Sequence, residues 1–135
     1  MAVTGWMSRS RRWSPMTPDH PSGLVDAAMI EDVRQNVSAG AADSLYADFF
    51  AEVRNHGLTD QDNQPVDMAV MADRAHSLKS VCGTFGLVGL AEIAREIEFC
   101  CLKDDKDRAR QLTLDFQSVT EASIDEAQSV LDGKN

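Results

Sequence analysis

The chain has 135 residues, of which 43% are hydrophobic and 26% charged, and this balance predicts one globular domain with a single core. Its net charge of −9 argues against partners with phosphate backbones or anionic lipid surfaces, and no apolar run approaches the roughly 18 residues that a membrane span needs. Aromatic residues make up only 6%, which favours helices over a β-sandwich. We therefore expect an all-α protein that binds neither nucleic acid nor membranes.

Residues 1–23 are predicted to form a flexible basic arm rich in proline and serine. They hold three arginines and one acidic residue, and three prolines interrupt any apolar period. They contain no apolar stretch of the kind that a secretory signal needs, so we expect a cytoplasmic protein. The remaining residues, 24–135, are predicted to form the folded domain.

Two amphipathic helices are predicted at the start of this domain. The first covers 24–37, and its apolar positions fall three and four residues apart: Val25, Ala28, Met29 and Val33. A break at Ala39 and Gly40 separates it from a second helix over 41–56, whose inner face holds Leu45, Phe49, Phe50 and Val53. His56 ends that helix, where a partly positive imidazole would interact favourably with the helix dipole. A polar loop over 57–65 follows.

Three more helices are predicted after this loop. The third begins near Val66 and ends at a turn near Gly86, with one buried apolar seam: Met68, Met71, Ala75, Leu78, Cys82 and Phe85. The fourth carries a second seam: Leu87, Leu90, Ala94, Ile97 and Cys101. The fifth begins at Asp104 and Asp105 and runs to about Val130. Because the connections are short, we predict an up-and-down antiparallel four-helix bundle with a short additional N-terminal helix.

The cysteines and histidines do not form a recognisable metal site. The three cysteines, Cys82, Cys100 and Cys101, lack Cys-x-x-Cys spacing and are predicted to be free and buried. The three histidines are scattered, and no Glu-x-x-His pair lies on the predicted helices, which argues against a metal or haem bundle. We therefore expect the chain to hold no metal ion and no cofactor.

One histidine, His76, is a candidate functional residue. It lies in the middle of the third predicted helix, off the apolar seam, and shares a face with Lys79 and with three small residues: Ala72, Ser80 and Gly83. The small neighbours leave the imidazole accessible to another protein. A lysine one turn away is placed to stabilise negative charge that arrives on the ring.

The residues around His76 resemble the signature of a known family. The run Ala-His-Ser-Leu-Lys-Ser-Val-Cys-Gly-Thr-Phe-Gly-Leu at 75–87 is similar to the His-x-Leu-Lys-Gly motif, and to the hydrophobic–Gly–hydrophobic step after it, of histidine-containing phosphotransfer (HPt) domains. The Gly-Thr-Phe-Gly step at 83–86 is especially similar to the phospho-accepting domain of chemotaxis-type histidine kinases. Residues 90–98 resemble the family's next helix, and the resemblance covers roughly 24–131.

This resemblance implies a phosphorelay intermediate of two-component signalling. His76 would accept a phosphoryl group on its outer ring nitrogen from an aspartyl phosphate of a response-regulator receiver domain, or hand one back. Lys79 would pair with the phosphoryl oxygens, and Glu98 on the next helix would hold the inner ring N–H. The implied partners are receiver domains and hybrid histidine kinases, with Mg²⁺ needed only in the receiver.

The chain is expected to be a carrier and not an enzyme. It has no GxxxxGK[ST] loop through which to draw phosphate from ATP, and a bundle of this size is expected to be a monomer. One departure from the family pattern leaves an alternative, since Ser80 stands where the family usually has glycine. Its hydroxymethyl group lies where a receiver would dock, on the face that includes Ala72 and Gly83. The alternative is a degenerate HPt-like module that binds and sequesters a receiver or kinase without phosphotransfer.

Overall fold

A computed structural model describes residues 23–133, and this part of the chain folds into five α-helices and no β-strand. The helices are α1 Ala27–Gln35, α2 Ala39–Arg54, α3 Met68–Thr84, α4 Val88–Leu102 and α5 Lys106–Leu131. The all-α prediction is confirmed, with four long helices after a short one of 9 residues. The predicted arm at 1–23 lies, apart from its last residue, outside the described residues.

The four long helices surround one core. α2 contacts α3, α3 contacts α4, α4 contacts α5, and α5 contacts α2, while α1 packs against α2 and α5. The largest fully buried side chains come from every helix and from the loops between them: Tyr46, Phe116, Ile30, Leu58, Met71, Leu78, Leu87, Leu90, Ile97, Val53 and Val130. Each stabilises the fold by about 1.5–3 kcal/mol, so this core determines how α3 and α4 face each other.

Aspartates begin three of the helices. Asp26, Asp67 and Asp105 each accept a hydrogen bond from a backbone N–H two or three residues later, at 3.2–3.4 Å. A side-chain oxygen at this position satisfies one of the N–H groups that the first turn leaves without a helical partner. The third helix was predicted to begin near Val66 and the fifth at Asp104 and Asp105, and the observed starts at Met68 and Lys106 confirm both predictions closely.

The start of α1 is determined by the turn between α3 and α4. The Asp26 N–H donates to the carbonyl of Gly86 at 2.8 Å, and the Gly89 N–H donates to the carbonyl of Leu24 at 3.1 Å. Gly86 has a φ of 85°, and a Cβ on it would lie 3.0 Å from the side chain of Ile30. Because these bonds hold the chain before α1 outside the helix, α1 begins later than the sequence predicted.

The predicted inner faces of the first two helices need correction. In α1 the buried side chain is Ile30, whereas Ala28 and Met29 are exposed. In α2 the aromatic pair is buried as predicted, but Leu45 is exposed. α2 also begins at Ala39, because glycine in a first turn does not interrupt a helix that tertiary contacts hold in place.

Tyr46 connects α2 to the end of α3. Its hydroxyl donates to the carbonyl of Phe85 at 3.0 Å, and its ring packs edge-on against the Phe85 ring with 5.0 Å between centroids. Burial raises the pKa of Tyr46 to about 12, so its hydroxyl keeps the proton that makes this bond. This contact holds the C-terminal end of α3 against the core.

The prediction of a partly positive His56 at the end of α2 is wrong. His56 is only 8% exposed, and its Nδ1 accepts a hydrogen bond from the Leu58 N–H at 3.0 Å. The ring also packs edge-on against Phe116, with 5.7 Å between centroids. Burial, and then the charge of Arg74, lower the pKa of His56, so the ring is neutral and shapes the loop after α2.

We expect the free energy of unfolding to fall as the pH drops below about 6.5, because unfolded His56 takes up a proton there that the folded protein resists. His56→Asn removes this titration while offering an amide oxygen to the same Leu58 N–H. Urea unfolding between pH 5 and pH 7.5 measures the effect. Equal pH dependence in the wild type and in His56→Asn would contradict this assignment.

Candidate functional site

The candidate site lies on the outer surface where α3 and α4 pack together. These helices are joined by three residues, 85–87, so they lie side by side along their length. His76 and Lys79 stand one turn apart on α3, and Glu98 reaches them from α4. The His76 side chain is 62% exposed. The sequence predicted all three residues, and the fold brings them together.

Glu98 binds both partners at once. Its Oε2 lies 2.9 Å from Nδ1 of His76, and its Oε1 lies 2.9 Å from Nζ of Lys79. Because an ionised carboxylate only accepts hydrogen bonds, Nδ1 of a neutral His76 ring is the donor and carries the proton. The lone pair of the neutral ring is then on Nε2. The site therefore offers an oriented imidazole with its second nitrogen free to act as a nucleophile.

The charge of Glu98 is stabilised within this cluster. The hydrogen bond from Lys79 is the largest influence and lowers the pKa of Glu98, and the hydrogen bond with His76 acts in the same direction. Partial burial opposes both, but the net shift is downward. Glu98 is thus ionised at neutral pH and can stabilise positive charge on the ring beside it.

The three small residues predicted for docking lie on the same face of α3 as His76. Ser80 is exposed, and Ala72 and Gly83 are half-buried. A Cβ on Gly83 would meet no other part of the described chain within 4 Å. The backbone carbonyl of Ser80 accepts a hydrogen bond from the Thr84 hydroxyl at 2.9 Å. Because these side chains are small, the surface of α3 beside His76 is open to a second protein.

Two exposed apolar residues near Glu98 were missed in the sequence. Phe99 is 54% exposed and Leu102 is 74% exposed, and Leu102 lies one turn beyond Glu98 on α4. The Lys103 ammonium lies 4.9 Å from the centroid of the Phe99 ring. The sequence contained a signal for Leu102, because it follows Glu98 by four residues and lies outside the predicted apolar seam of the fourth helix, which places it on the same exposed face as Glu98. We call Phe99 and Leu102 the α4 apolar pair.

The described residues offer no alternative metal or membrane site. Between residues 23 and 133, no group of three or more histidine, cysteine or acidic side chains is arranged to hold a metal ion. No helix in this range is long and apolar enough to cross a membrane. Cys82 and Cys100 are buried and Cys101 is half-buried, all three as free thiols. Burial, with a smaller contribution from Glu52, raises the pKa of Cys82 to about 12, so this thiol is not a nucleophile.

Comparison with known protein families shows which family the chain belongs to. The family model of the Hpt domain matches residues 27–130, a range that begins with α1 and ends within the last turn of α5. The chain belongs to the Hpt domain family. Hpt domains carry out phosphotransfer in two-component signalling, act as carrier modules without kinase activity, and interact with kinases and response regulators. No curated protein and no solved structure matches the chain.

Proposed function

We propose that this Hpt domain is a phosphorelay intermediate, in which His76 exchanges a phosphoryl group with aspartates of receiver domains. One observation carries the proposal: Glu98 holds Nδ1 of His76 at 2.9 Å while 62% of the side chain stays exposed. The hydrogen bond at Nδ1 fixes the orientation of the ring and leaves Nε2 accessible to a second protein. Magnesium and its ligands belong to the receiver in this proposal, and no step needs a cofactor on this chain.

The transfer step needs no proton to move. The lone pair of Nε2 attacks phosphorus, and the bond between phosphorus and the receiver's aspartyl oxygen breaks, with its electron pair leaving on that carboxylate. The ring becomes an imidazolium that keeps its proton on Nδ1, where Glu98 stabilises the new positive charge. Lys79 stabilises the phosphoryl oxygens. The reverse step returns the group by the same route.

The proposal extends to the order of the helices, the oligomeric state and the location of the protein. The three-residue turns before α4 and α5 support an up-and-down antiparallel order of the four long helices. We propose that the protein acts as a cytoplasmic monomer, since the described helices bury one hydrophobic core within a single chain. The aspartate exchange is the part that experiment addresses first.

The relay role is tested by incubating the protein with radiolabelled, phosphorylated receiver domains. Label is expected to move from the receiver to this chain and back to an unlabelled receiver. Binding without label transfer, for every receiver that binds, would contradict the relay and support the sequestering module. In that case Ser80→Gly tests whether the serine obstructs transfer, since glycine removes its hydroxymethyl group from the docking face.

We expect the α4 apolar pair to form part of the receiver-docking surface, because both side chains are exposed and lie next to Glu98 or one turn beyond it on α4. Leu102→Asp should slow transfer from a phosphorylated receiver by about tenfold, since losing most of the burial of one leucine side chain costs about 1.4 kcal/mol, which is a factor of ten. Leu114→Asp is the matched control, because Leu114 is exposed on α5 and lies outside the α3–α4 face. Equal transfer rates for the two variants would contradict a docking role for Leu102.

A further inference from the structure

In the unmodified protein, the Glu98 carboxylate already accepts hydrogen bonds from both Lys79 and His76. Its two oxygens bind Lys79 and His76 at the same distance of 2.9 Å. Lys79 therefore begins as the counter-ion of Glu98, although the proposed function needs it on the phosphoryl group. The side chain of Lys79 is 35% exposed, and its ammonium has three N–H donors on a flexible stem, so it is able to move.

Phosphorylation of His76 changes the charge on both sides of the ring. Before transfer, the cluster contains one ammonium, one carboxylate and a neutral ring. After the transfer step described above, the ring is an imidazolium and its phosphoryl group carries up to two negative charges. The positive charge lies against Glu98 through Nδ1, and the negative charge lies on the side of Nε2. Each member of the ion pair then has a second partner of opposite charge.

We propose that Lys79 exchanges partners during the reaction, leaving Glu98 for the phosphoryl group when His76 is modified and returning when the group departs. This inference rests on the proposed function. A phosphoryl dianion carries twice the charge of a carboxylate, so it competes strongly with Glu98 for the single ammonium of Lys79. The imidazolium replaces Lys79 as the main partner of Glu98.

Partner exchange gives Lys79 a different role in each state. In the unmodified protein it holds the Glu98 carboxylate in the orientation that accepts the hydrogen bond from the Nδ1–H group of His76. In the phosphorylated protein it holds the phosphoryl oxygens, and Glu98 is left to the imidazolium. Because the ion pair re-forms when the phosphoryl group leaves, it favours release, whereas the contact of Lys79 with the phosphoryl oxygens favours acceptance. A carrier that passes phosphate in both directions needs this balance.

The test uses NMR at constant neutral pH to compare the wild type with Lys79→Gln, each in the unmodified and in the phosphorylated state. His76 is phosphorylated with phosphoramidate, a small phosphoryl donor, so that no receiver is needed. We expect Lys79→Gln to shift the Glu98 ¹³Cδ resonance in the unmodified protein and to leave it nearly unchanged in the phosphorylated protein. The ³¹P resonance of the phosphohistidine should shift in Lys79→Gln relative to the wild type.

Lys103→Gln is the matched control, because it removes the same charge from the end of α4 without contact to Glu98, and it should move neither resonance. Lys79→Arg should preserve the wild-type pattern in part, since it keeps the charge. An equal shift of Glu98 ¹³Cδ in both states would overturn partner exchange and leave Lys79 as a fixed support for Glu98. Failure of His76 itself to take the phosphoryl group would instead contradict the underlying function, so the two failures are distinguishable.

Discussion

His76→Gln is expected to abolish labelling of the protein by phosphorylated receiver domains while leaving its melting temperature nearly unchanged. The loss is complete because glutamine has no nucleophilic ring nitrogen. The fold is retained because the His76 side chain is 62% exposed, and its half-buried partner Glu98 keeps the hydrogen bond from Lys79. Exposed substitutions of this kind change the free energy of unfolding by about 0.5 kcal/mol or less. Labelling on a gel and a thermal melt measure the two effects.

The control for this experiment removes another histidine. His20→Gln alters a residue outside the described part of the chain, and we expect it to label like the wild type. A His76→Gln protein that still takes label would contradict the assignment of His76 as the acceptor. Loss of label together with loss of helix content would point to unfolding, which the exposure of His76 argues against.

Glu98→Ala is expected to slow phosphotransfer to His76 by about ten- to a hundredfold, the loss typical when the hydrogen-bond partner that orients a metal-binding histidine is removed. Without Glu98, Nδ1 loses the acceptor that keeps its proton in place, and the imidazolium formed on transfer loses its counter-charge. Glu98→Gln should lie between alanine and the wild type, since an amide oxygen still accepts from Nδ1. Stopped-flow or quenched-flow transfer from a labelled receiver measures the rates.

Glu92→Ala is the matched control for Glu98→Ala. Glu92 lies on the same helix and pairs with Arg95 one turn away, so its loss removes one acidic side chain without touching the His76 ring. We expect transfer to proceed at close to the wild-type rate. Equal transfer rates for Glu98→Ala and the wild type would contradict the positioning role of Glu98.

Sequence periodicity predicted the long helices well because each has a continuous buried seam. In α3, the residues Met71, Ala75, Leu78 and Cys82 recur every three or four positions and all are buried. A seam of that length determines which residues face outward, so His76 and Lys79 were placed on the exposed face. The pairing with Glu98 followed from the family resemblance, and the helix contact between α3 and α4 brings the two partners together.

The sequence was less informative where tertiary contacts determine the local structure. The start of α1 depends on backbone hydrogen bonds to the α3–α4 turn, which join residues about 60 positions apart and leave no periodic signal. His56 was misplaced because its burial depends on Phe116 of a distant helix. Leu102 was overlooked because periodicity identifies residues that face inward, whereas the docking role proposed for Leu102 depends on its exposure one turn beyond Glu98.

In the proposed relay, His76 carries the phosphoryl group on Nε2 while the hydrogen bond to Glu98 keeps the proton on Nδ1. The most direct measurement is a ¹H–¹⁵N and ³¹P NMR spectrum of the protein after phosphorylation by a receiver domain. We expect phosphorus coupling to Nε2 of His76 and a proton on Nδ1, both lost in His76→Gln. Phosphorus on Nδ1 of His76, or on any other residue, would contradict the account.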